Sequence, residues 1–319
     1  MDNAKQIVKE YTIKEEDEKV YLVDFLTNRF TYYPKENWEE LIQQKRITLS
    51  GSDTHPNYQL KKGDKIVFKF PELLEPEVDS NFEIVYEDEF IFAVNKSGNL
   101  PVHPAGRYQT QNLTTLLGQS IQGMQNSQKP IFFIVNRIDR ETSGIVLFAK
   151  DKTMAALLSK LFSSHQIDKT YIVYVEGSFP SQLTAEGFIT KDEFSKIRKK
   201  KRFMEQIIPG KECTYVKTEF IKIGEKNHIS KIFAFPITGK IHQIRATLSS
   251  KGYPVLGDKI YGKDENIFLE FIQYGNAILQ GELLRQALHS YSLKFIHPIT
   301  KKVIEIIAPE PHDLKKIYR

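Results

Sequence analysis

The chain of 319 residues contains a single cysteine, Cys213. One cysteine cannot form an internal disulfide, and it cannot supply the ligands of a cysteine-rich zinc site. The chain also lacks an apolar run near the ~20 residues that a membrane-spanning helix needs. Its first residues, MDNAK, are polar and show no hydrophobic region of a secretory signal. We therefore expect a cytoplasmic protein without membrane association.

Several sequence patterns that would define a function are absent as well. The chain shows no internal repeat, no glycine-rich phosphate-binding loop and no dinucleotide-binding fingerprint. Its apolar content of 40% and charged content of 27% are ordinary for a protein with a packed core and a solvated surface. The length allows one large domain or two smaller ones.

Positive charge is distributed unevenly along the chain. The formal net charge is +5, but residues 1–76 hold 12 Lys and Arg against 14 Asp and Glu, so the basic excess lies in the remainder. The run KIRKKKR at 196–202 holds six cations in seven residues. Such a run is typical of a surface that binds nucleic acid, although a solvated loop can have the same composition. The candidate RNA-binding residues in it are Lys196, Arg198, Lys199, Lys200, Lys201 and Arg202.

The N-terminal part of the chain predicts a small αα-β module. Apolar residues recur at helical spacing within 20–49, and Pro34 is suited to the start of the second helix. Strand-like pieces follow at 46–49 and 65–70. We expect an extension over 1–19, the module over 20–70, and a linker over 71–81, where prolines and glutamates disfavour regular structure.

Residues 82–319 predict one larger domain. Strand-like runs lie at 90–95, 145–149, 170–175, 214–223, 230–235, 288–295 and 302–308, and helical patterns follow Asp151 and cover 241–251. Strands outnumber helices, and short turns join many of them. This pattern favours an α+β fold with a mixed, mainly antiparallel central sheet flanked by helices.

One polar segment lies between two strand-like runs and carries a carboxylate among arginines. It reads NRIDRETSG at 136–144, with Asp139 at its centre. An Asp flanked by cations stays ionised and oriented, as a reactive carboxylate must. The alternative interpretation is a charged hairpin in which Asp139 only pairs with a neighbouring Arg.

Separate segments resemble the RluA-type pseudouridine synthases, in the order and spacing of that family. NRIDRETSG resembles the catalytic motif, and TGKIHQIR at 238–245 resembles the second signature, which continues into GYPV at 252–255 and GDKIYG at 257–262. EDE at 87–89, VNKSG at 94–98, PVHP at 101–104, KTY at 169–171, LH at 288–289 and HP at 297–298 match further positions. The resemblance covers residues 82–310.

The resemblance implies an RNA pseudouridine synthase, which isomerises uridine to pseudouridine without a cofactor or a metal. It assigns Asp139 as the essential carboxylate, Arg245 as its partner, and Tyr171 as the tyrosine that packs on the uracil ring. Asp139 either attacks the ribose anomeric carbon or abstracts a ribose proton to give a glycal-like intermediate. The sequence leaves both routes open.

The resemblance also implies RNA contacts and structural roles. Arg137 matches a residue that fills the space of the extruded uridine, and its alternative role is a salt bridge with Glu141 or Asp139. Asn136 and Lys240 stand where family members usually have His and Arg, and the Asn136 amide can hydrogen-bond either RNA or a loop backbone. His103, His242 and His289 fall at positions expected to be mainly structural, and Asp258 is expected to stabilise a turn.

The predicted module over 20–70 resembles the RNA-binding domain named after ribosomal small-subunit protein four. Its net charge is slightly negative, which is unusual for a domain that binds phosphates. An accessory module favours ribosomal RNA of the large subunit over transfer RNA as the substrate. No obligate protein partner is implied. The alternatives are a synthase that acts on tRNA, a non-catalytic RNA-binding or ribosome-assembly factor, and a glycosidase with two carboxylates.

Overall fold

The computed structural model of the protein describes residues 8–30, 33–69, 75–106, 108–125, 131–207, 209–262, 264–269 and 285–318. The chain folds into two compact units. Of the described residues, the smaller unit holds those up to Pro76 and those of the short segment 105–109, and the larger holds those of 77–104, 110–269 and 285–318. None of the helices in these ranges combines the length and the apolar character that a bilayer crossing requires.

The smaller unit is a four-stranded antiparallel sheet with two helices. The helices are α1 (Leu22–Arg29) and α2 (Lys35–Gln43), as the apolar spacing predicts, and Pro34 directly precedes α2. The strand order is β1-β4-β2-β3, with β1 Val8–Thr12, β2 Ile47–Leu49, β3 Ser52–Asp53 and β4 Lys65–Lys69. A short 3₁₀ turn at Glu15–Asp17 follows β1.

One strand of the smaller unit lies in the segment that the sequence suggests is an extension. β1 pairs antiparallel with β4, which places Tyr11 opposite Ile66. Its sequence, VKEYT, is short and carries two charges, so its pattern is that of a polar tail. It forms a strand because it pairs with the edge of β4. Residues 71–74 of the expected linker lie outside the described residues, and 75–80 form no regular element.

The larger unit is built on an eleven-stranded sheet. The path through it runs β11-β10-β12-β13-β9-β14-β8-β6-β5, while β15 pairs with β14 and β7 with β8. Only the β14–β8 pair is parallel among the pairings that the structure describes, which confirms the mixed, mainly antiparallel α+β prediction. The strands are β5 Phe82–Glu87, β6 Ile91–Lys96, β7 Phe133–Ile134, β8 Ser143–Ala149, β9 Asp168–Glu176, β10 Gln182–Lys191, β11 Lys201–Met204, β12 Cys213–Lys226, β13 Ile229–Pro236, β14 Leu288–Ile296 and β15 Val303–Ile307.

Helices cover both faces of the sheet at β6 and β8. They include α3 (Leu113–Gln125) and α4 (Lys152–Ser163), and shorter helices α5 (Gln243–Ser250) and α6 (His312–Lys315) lie elsewhere in the unit. Side chains at odd positions of β6 and β8 pack with α4, and those at even positions pack with α3. Because both faces are buried, β8 is buried along its whole length and apolar from Ile145 to Ala149, and it forms a rigid support for the loop that precedes it.

Local sequence patterns predict some of the helices and strands but not others. The Asp151 carboxylate accepts the backbone N–H of Met154 at 2.8 Å and caps α4 as predicted. The sequence does not predict α3, because glycine and short polar residues fill its exposed turns. It also does not predict β10 or β11, since the charges of the basic run obscure the strand pattern of β11.

Candidate active site

A cleft of about 910 Å³ opens in the larger unit, beside the loop between β7 and β8. Its lining includes Asp139 from this loop, Tyr171 from β9, and His242 and Arg245 from the start of α5. Elements far apart in sequence therefore bring together the three residues to which the resemblance assigns catalysis. The Asp139 side chain is 31% exposed, so it is supported by protein on most sides and still reachable from the cleft.

Three contacts hold the loop that carries Asp139. The Asn136 amide bonds to the backbone of β8: its Oδ1 accepts the N–H of Leu147 at 2.7 Å, and its Nδ2 donates to the carbonyl of Ile145 at 3.3 Å. On the other side of the loop, the buried amino group of Lys96 donates to the carbonyl of Arg140 at 3.0 Å. The loop is thereby fixed before and after Asp139, which restricts the directions its carboxylate can adopt.

The two oxygens of Asp139 have different surroundings. Oδ2 accepts a hydrogen bond from Arg245 Nη1 at 2.6 Å and a longer one from Gln286 Nε2 at 3.4 Å. Oδ1 faces His242 Nε2 at 3.9 Å, beyond hydrogen-bonding distance. Burial alone would raise the pKa of Asp139, but the charge and hydrogen bond of Arg245 outweigh it and lower that pKa to about 2. The carboxylate is ionised at neutral pH, with Oδ2 anchored and Oδ1 without a hydrogen bond to any residue in the described ranges.

Arg245 is itself fixed by a second carboxylate. The residue is 4% exposed, and its Nε and Nη2 donate to Asp258 Oδ2 and Oδ1 at 2.6 and 2.8 Å. Asp258 Oδ1 also accepts the backbone N–H groups of Ile260 and Tyr261. Burial opposes the charge on the Asp258 carboxylate, but the Arg245 guanidinium and these N–H groups lower its pKa. Asp258 therefore both closes a turn, as predicted, and orients Arg245.

The start of α5 is held by a buried amide. The Gln243 Oε1 accepts from the Thr238 hydroxyl at 2.8 Å and from the Lys240 N–H at 3.0 Å. Its Nε2 donates to the Lys217 carbonyl and the Thr218 hydroxyl on β12. This network fixes the first turn of α5 against the sheet, and two residues later the helix presents Arg245 to Asp139.

His242 and Tyr171 complete the wall around Asp139. The Tyr261 hydroxyl accepts the backbone N–H of Lys201 and lies 2.9 Å from His242 Nδ1. Because the Tyr261 hydroxyl directs its proton to His242 Nδ1, that nitrogen acts as an acceptor. The fitting tautomer of His242 therefore carries its hydrogen on Nε2, toward Asp139. Burial and the Arg245 charge lower the pKa of His242 to about 4, so it is neutral near pH 7. Burial raises the pKa of Tyr171 to about 12 and keeps its hydroxyl protonated.

The other two histidines at positions that match the family, His289 and His103, have separate surroundings. His289 is fully buried, and its Nδ1 and Nε2 lie 2.9 Å from the Ser143 hydroxyl and 3.0 Å from the Ala308 carbonyl. That arrangement joins the first residue of β8 to the C-terminal segment, which is a structural role. His103 lies at the cleft edge, where its Nε2 is 3.4 Å from Arg137 Nη1.

The structure distributes the predicted RNA-binding residues over two places. Arg137 and Lys240 are exposed and line the cleft, whereas Asn136 lines it with its amide bonded to β8. The run at 196–202 crosses the turn between β10 and β11 and enters β11 at Lys201. Its members differ in their contacts. Lys199 lies 4.6 Å from the ring centre of Phe268, Lys200 pairs with Glu265 at 2.7 Å, and Arg202 lies 6.0 Å from the ring centre of Phe194.

Sequence reasoning did not find four contributors to this site. Gln286, Tyr261 and Lys96 support the residues around Asp139, and Asp258 was given only a turn role. Gln286 also donates to the Thr142 hydroxyl at 2.6 Å, which ties the segment before β14 to the loop. Lys96, Asp258 and Tyr261 lie inside motifs that match the family, which is a signal, whereas Gln286 lies outside them, two residues before the LH motif. Within the described ranges, no group of three or more His, Cys, Asp or Glu residues is arranged to hold a metal ion.

Comparison with known proteins agrees with this architecture. Residues 91–250, about half of the chain, match the family model of RNA pseudouridylate synthases. Ribosomal large subunit pseudouridine synthase D of Zymomonas mobilis is 32% identical over 250 residues, which cover 77% of this chain and 74% of that protein. An uncharacterized RNA pseudouridine synthase of Bacillus subtilis is 27% identical over 288 residues, covering 88% and 87%.

A solved structure shares the fold. The human protein RNA pseudouridylate synthase domain containing 1 superposes with a TM-score of 0.57 at 21% identity, covering 75% of this chain and 87% of that one. The family match over residues 91–250 and the 32% identity to the Zymomonas mobilis protein assign the family: the chain belongs to the RNA pseudouridylate synthases. It is an RNA pseudouridine synthase, an isomerase that acts on RNA.

Proposed function

We propose that this synthase isomerises specific uridines of large-subunit ribosomal RNA and that Asp139 is its catalytic carboxylate. The observation that carries the catalytic assignment is the ion pair between Asp139 Oδ2 and Arg245 Nη1 at 2.6 Å, inside a cleft whose wall includes Tyr171. The choice of substrate is supported by relatives whose names specify the ribosomal large subunit, among them the Zymomonas mobilis protein.

The reaction conserves every atom of the nucleotide. The bond between the ribose anomeric carbon and uracil N1 breaks, the base turns, a bond to uracil C5 forms, and the proton on C5 moves to N1. A carboxylate can begin this sequence in two ways, by attack on the anomeric carbon or by removal of a ribose proton. Both need an ionised Asp139, which the lowered pKa supports.

The asymmetry of the Asp139 carboxylate supports a specific reacting atom. Arg245 and Gln286 bind Oδ2, so Oδ1 is the oxygen that faces substrate. Holding one oxygen lets the other approach the ribose with little loss of freedom on binding. Tyr171, whose hydroxyl keeps its proton, is suited to packing on the uracil ring and to passing a proton during the rearrangement.

RNA reaches this carboxylate only after the target uridine leaves its stack. Arg137 and Lys240, both exposed on the cleft lining, are placed to contact the displaced strand and its phosphates. The run at 196–202 supplies further cations, with Lys196, Arg198 and Lys199 exposed on the turn before β11. A role of the smaller unit in RNA binding stays a prediction.

Two other functions are less well supported. The non-catalytic alternative rests on Asn136 in place of the usual His, yet its amide bonds to β8 and leaves the Asp139 ion pair intact. A glycosidase would need a second carboxylate beside the scissile bond. Its candidates are engaged elsewhere, because Asp258 grips Arg245 and Glu141 accepts from Arg140 and Lys259.

The test is pseudouridine mapping of ribosomal and transfer RNA by carbodiimide labelling in wild-type cells, a deletion strain and rescued strains. Rescue with Asp139→Asn should leave the lost sites unmodified, while rescue with Asp168→Asn, at the exposed start of β9, should restore them. Restored sites in the Asp139→Asn strain would refute the catalytic assignment. Lost sites confined to tRNA would refute the ribosomal substrate.

A further inference from the structure

The side chain of Phe194 is 84% exposed, more than any other large apolar side chain in the described part of the larger unit. A single exposed apolar residue is ordinary on a protein surface. Phe194 differs because a cation accompanies it: the Arg202 guanidinium carbon lies 6.0 Å from its ring centre. Aromatic rings next to arginines are the elements with which proteins stack unpaired nucleic-acid bases.

The turn that carries Phe194 is held in place by specific contacts. Asp192 Oδ1 accepts the backbone N–H of Phe194 at 3.2 Å, and the N–H of Asp192 donates to the Lys200 carbonyl at 3.1 Å. Ile197, in the same turn, is buried and anchors it to the protein. The exposure of Phe194 therefore comes from a turn that directs the ring outward, and binding would lose little conformational freedom.

A second cavity, of about 360 Å³, opens beside this ring. Phe194, Lys201 and Arg202 line it from the hairpin, and Ser249, Ser250 and Tyr261 line the opposite side. The hydroxyl of Tyr261 lies 2.9 Å from His242 Nδ1, and His242 lines the active-site cleft. The two cavities are thus separated by the Tyr261 and His242 side chains, which puts the second one within reach of a nucleotide next to the target.

The charges around this cavity select an anionic chain. Lys200 is neutralised by Glu265, and the Asp192 carboxylate is held by the Phe194 N–H. Lys201 and Arg202 have no ion-pair partner among the residues that the structure describes. An aromatic face with two available cations matches a base and its phosphates.

We propose that Phe194 and Arg202 form a stacking site for an unpaired base of the substrate RNA, next to the uridine that enters the cleft. This inference rests on the proposed function and deepens it, because it makes the enzyme selective for targets in loops or single strands. A fully paired duplex offers no free base face to Phe194, so it would bind through its phosphates only.

Binding of a short single-stranded RNA that contains 2-aminopurine tests the site directly, since stacking quenches the fluorescence of this base. The full-length chain with Asp139→Asn serves as the background, so that binding is read without turnover. Adding Phe194→Ala should weaken binding at least about fivefold and reduce the quenching. Phe194→Trp should restore both, and Val303→Ala, at an exposed position on β15, should change neither.

The same RNA annealed to its complement should bind Phe194→Ala and the unmodified background equally. Unchanged affinity and quenching for Phe194→Ala with the single strand would overturn the stacking site, as would a failure of Phe194→Trp to restore them in a chain with an unaltered urea transition. The proposed function fails separately. A chain that stacks the base but yields no pseudouridine in the mapping refutes only that function, and a chain that makes product without a Phe194 effect refutes only the stacking site.

Discussion

The Arg245 guanidinium is gripped by Asp258 through two hydrogen bonds of 2.6 and 2.8 Å, on the edge opposite the one it offers to Asp139. The two carboxylates thereby differ in role although they share one cation. Asp258 is buried and accepts from Arg245 with both oxygens, whereas Asp139 lines the cleft and accepts from Arg245 with one oxygen only. Orientation of the Asp139 carboxylate thus depends on Asp258, which does not line the cleft.

Asp258→Asn should destabilise the protein and disable it together. The change leaves the buried Arg245 charge with only Asp139 as a charged partner, and breaking a buried pair in this way costs about 3 kcal/mol. Loss of the two hydrogen bonds from Arg245 to residue 258 should also slow the chemical step at least about tenfold, because Asp139 is no longer held in one direction. Urea unfolding and single-turnover kinetics measure the two effects.

As a control, Glu265→Gln, which removes the partly exposed partner of Lys200, should cost less than about 1 kcal/mol. Equal costs for both variants would contradict this account.

The parts of the site that could be predicted are those whose chemistry is local. Asp139 lies among charges in a polar loop between apolar runs, and that pattern indicates both a rigid mount and an ionised carboxylate. The helix that carries Arg245 follows from apolar spacing and from the glycine beyond its end. These features do not depend on which distant segment is adjacent, so the sequence alone indicates them.

The parts that could not be predicted depend on distant partners. Asp258 in its turn looks like any turn-forming Asp until the fold places Arg245 beside it. Gln286 and Tyr261 carry no charge that would mark them, and each acts through a hydrogen bond across the sheet or between loops. The sequence leaves the Asn136 amide with either RNA or backbone as its partner, and its bonds to β8 appear only once the register of β7 and β8 is known.

Gly144→Ala should be strongly destabilising. Gly144 has φ +106°, which side chains disfavour, and an added Cβ would overlap the backbone carbonyl of Ser290 on the parallel neighbour β14. We expect a loss of at least about 2 kcal/mol in the free energy of unfolding, since both the strain and the overlap involve backbone. The matched control is Gly118→Ala in α3, where a Cβ has open space around it and a gain of about 0.5 kcal/mol is expected. Urea denaturation should therefore show a lower free energy of unfolding for Gly144→Ala and a higher one for Gly118→Ala. A change in the same direction for both variants would count against this interpretation.

Stability should fall as the pH is lowered from 8 to 5.5, partly through two neutral histidines. Burial lowers the folded-state pKa of both His289 and His242 to about 4, from 6.5. In this window the unfolded chain binds protons that the folded chain does not, so each residue should cost about 1 kcal/mol at pH 5.5. Asp139 and Asp258, whose pKa values are lowered from 3.8, lose their contribution only at lower pH.

His289→Gln isolates one histidine in this pH effect. Glutamine can keep an acceptor for Ser143 and a donor for Ala308 but does not titrate. The difference in unfolding free energy between pH 8 and pH 5.5 should therefore shrink by about 1 kcal/mol relative to the unmodified chain. An unchanged difference would mean that His289 does not resist protonation in the folded state.

The cations of the basic run should contribute unequally to RNA binding. Lys200 is partly neutralised by Glu265 at 2.7 Å, whereas Lys201 and Arg202 have no such partner in the described chain. The salt dependence of binding reports the number of phosphates contacted, at about 0.7 in the logarithmic slope for each one in a single strand. The double variant Lys201→Gln, Arg202→Gln should therefore lower the slope by roughly 1.4, because two contacts are lost.

Lys200→Gln should change the slope much less, since that lysine already has a counter-charge. Titrations of a single-stranded RNA at several salt concentrations measure all three slopes, and a larger effect of Lys200→Gln than of the double variant would place the phosphate contacts elsewhere in the run.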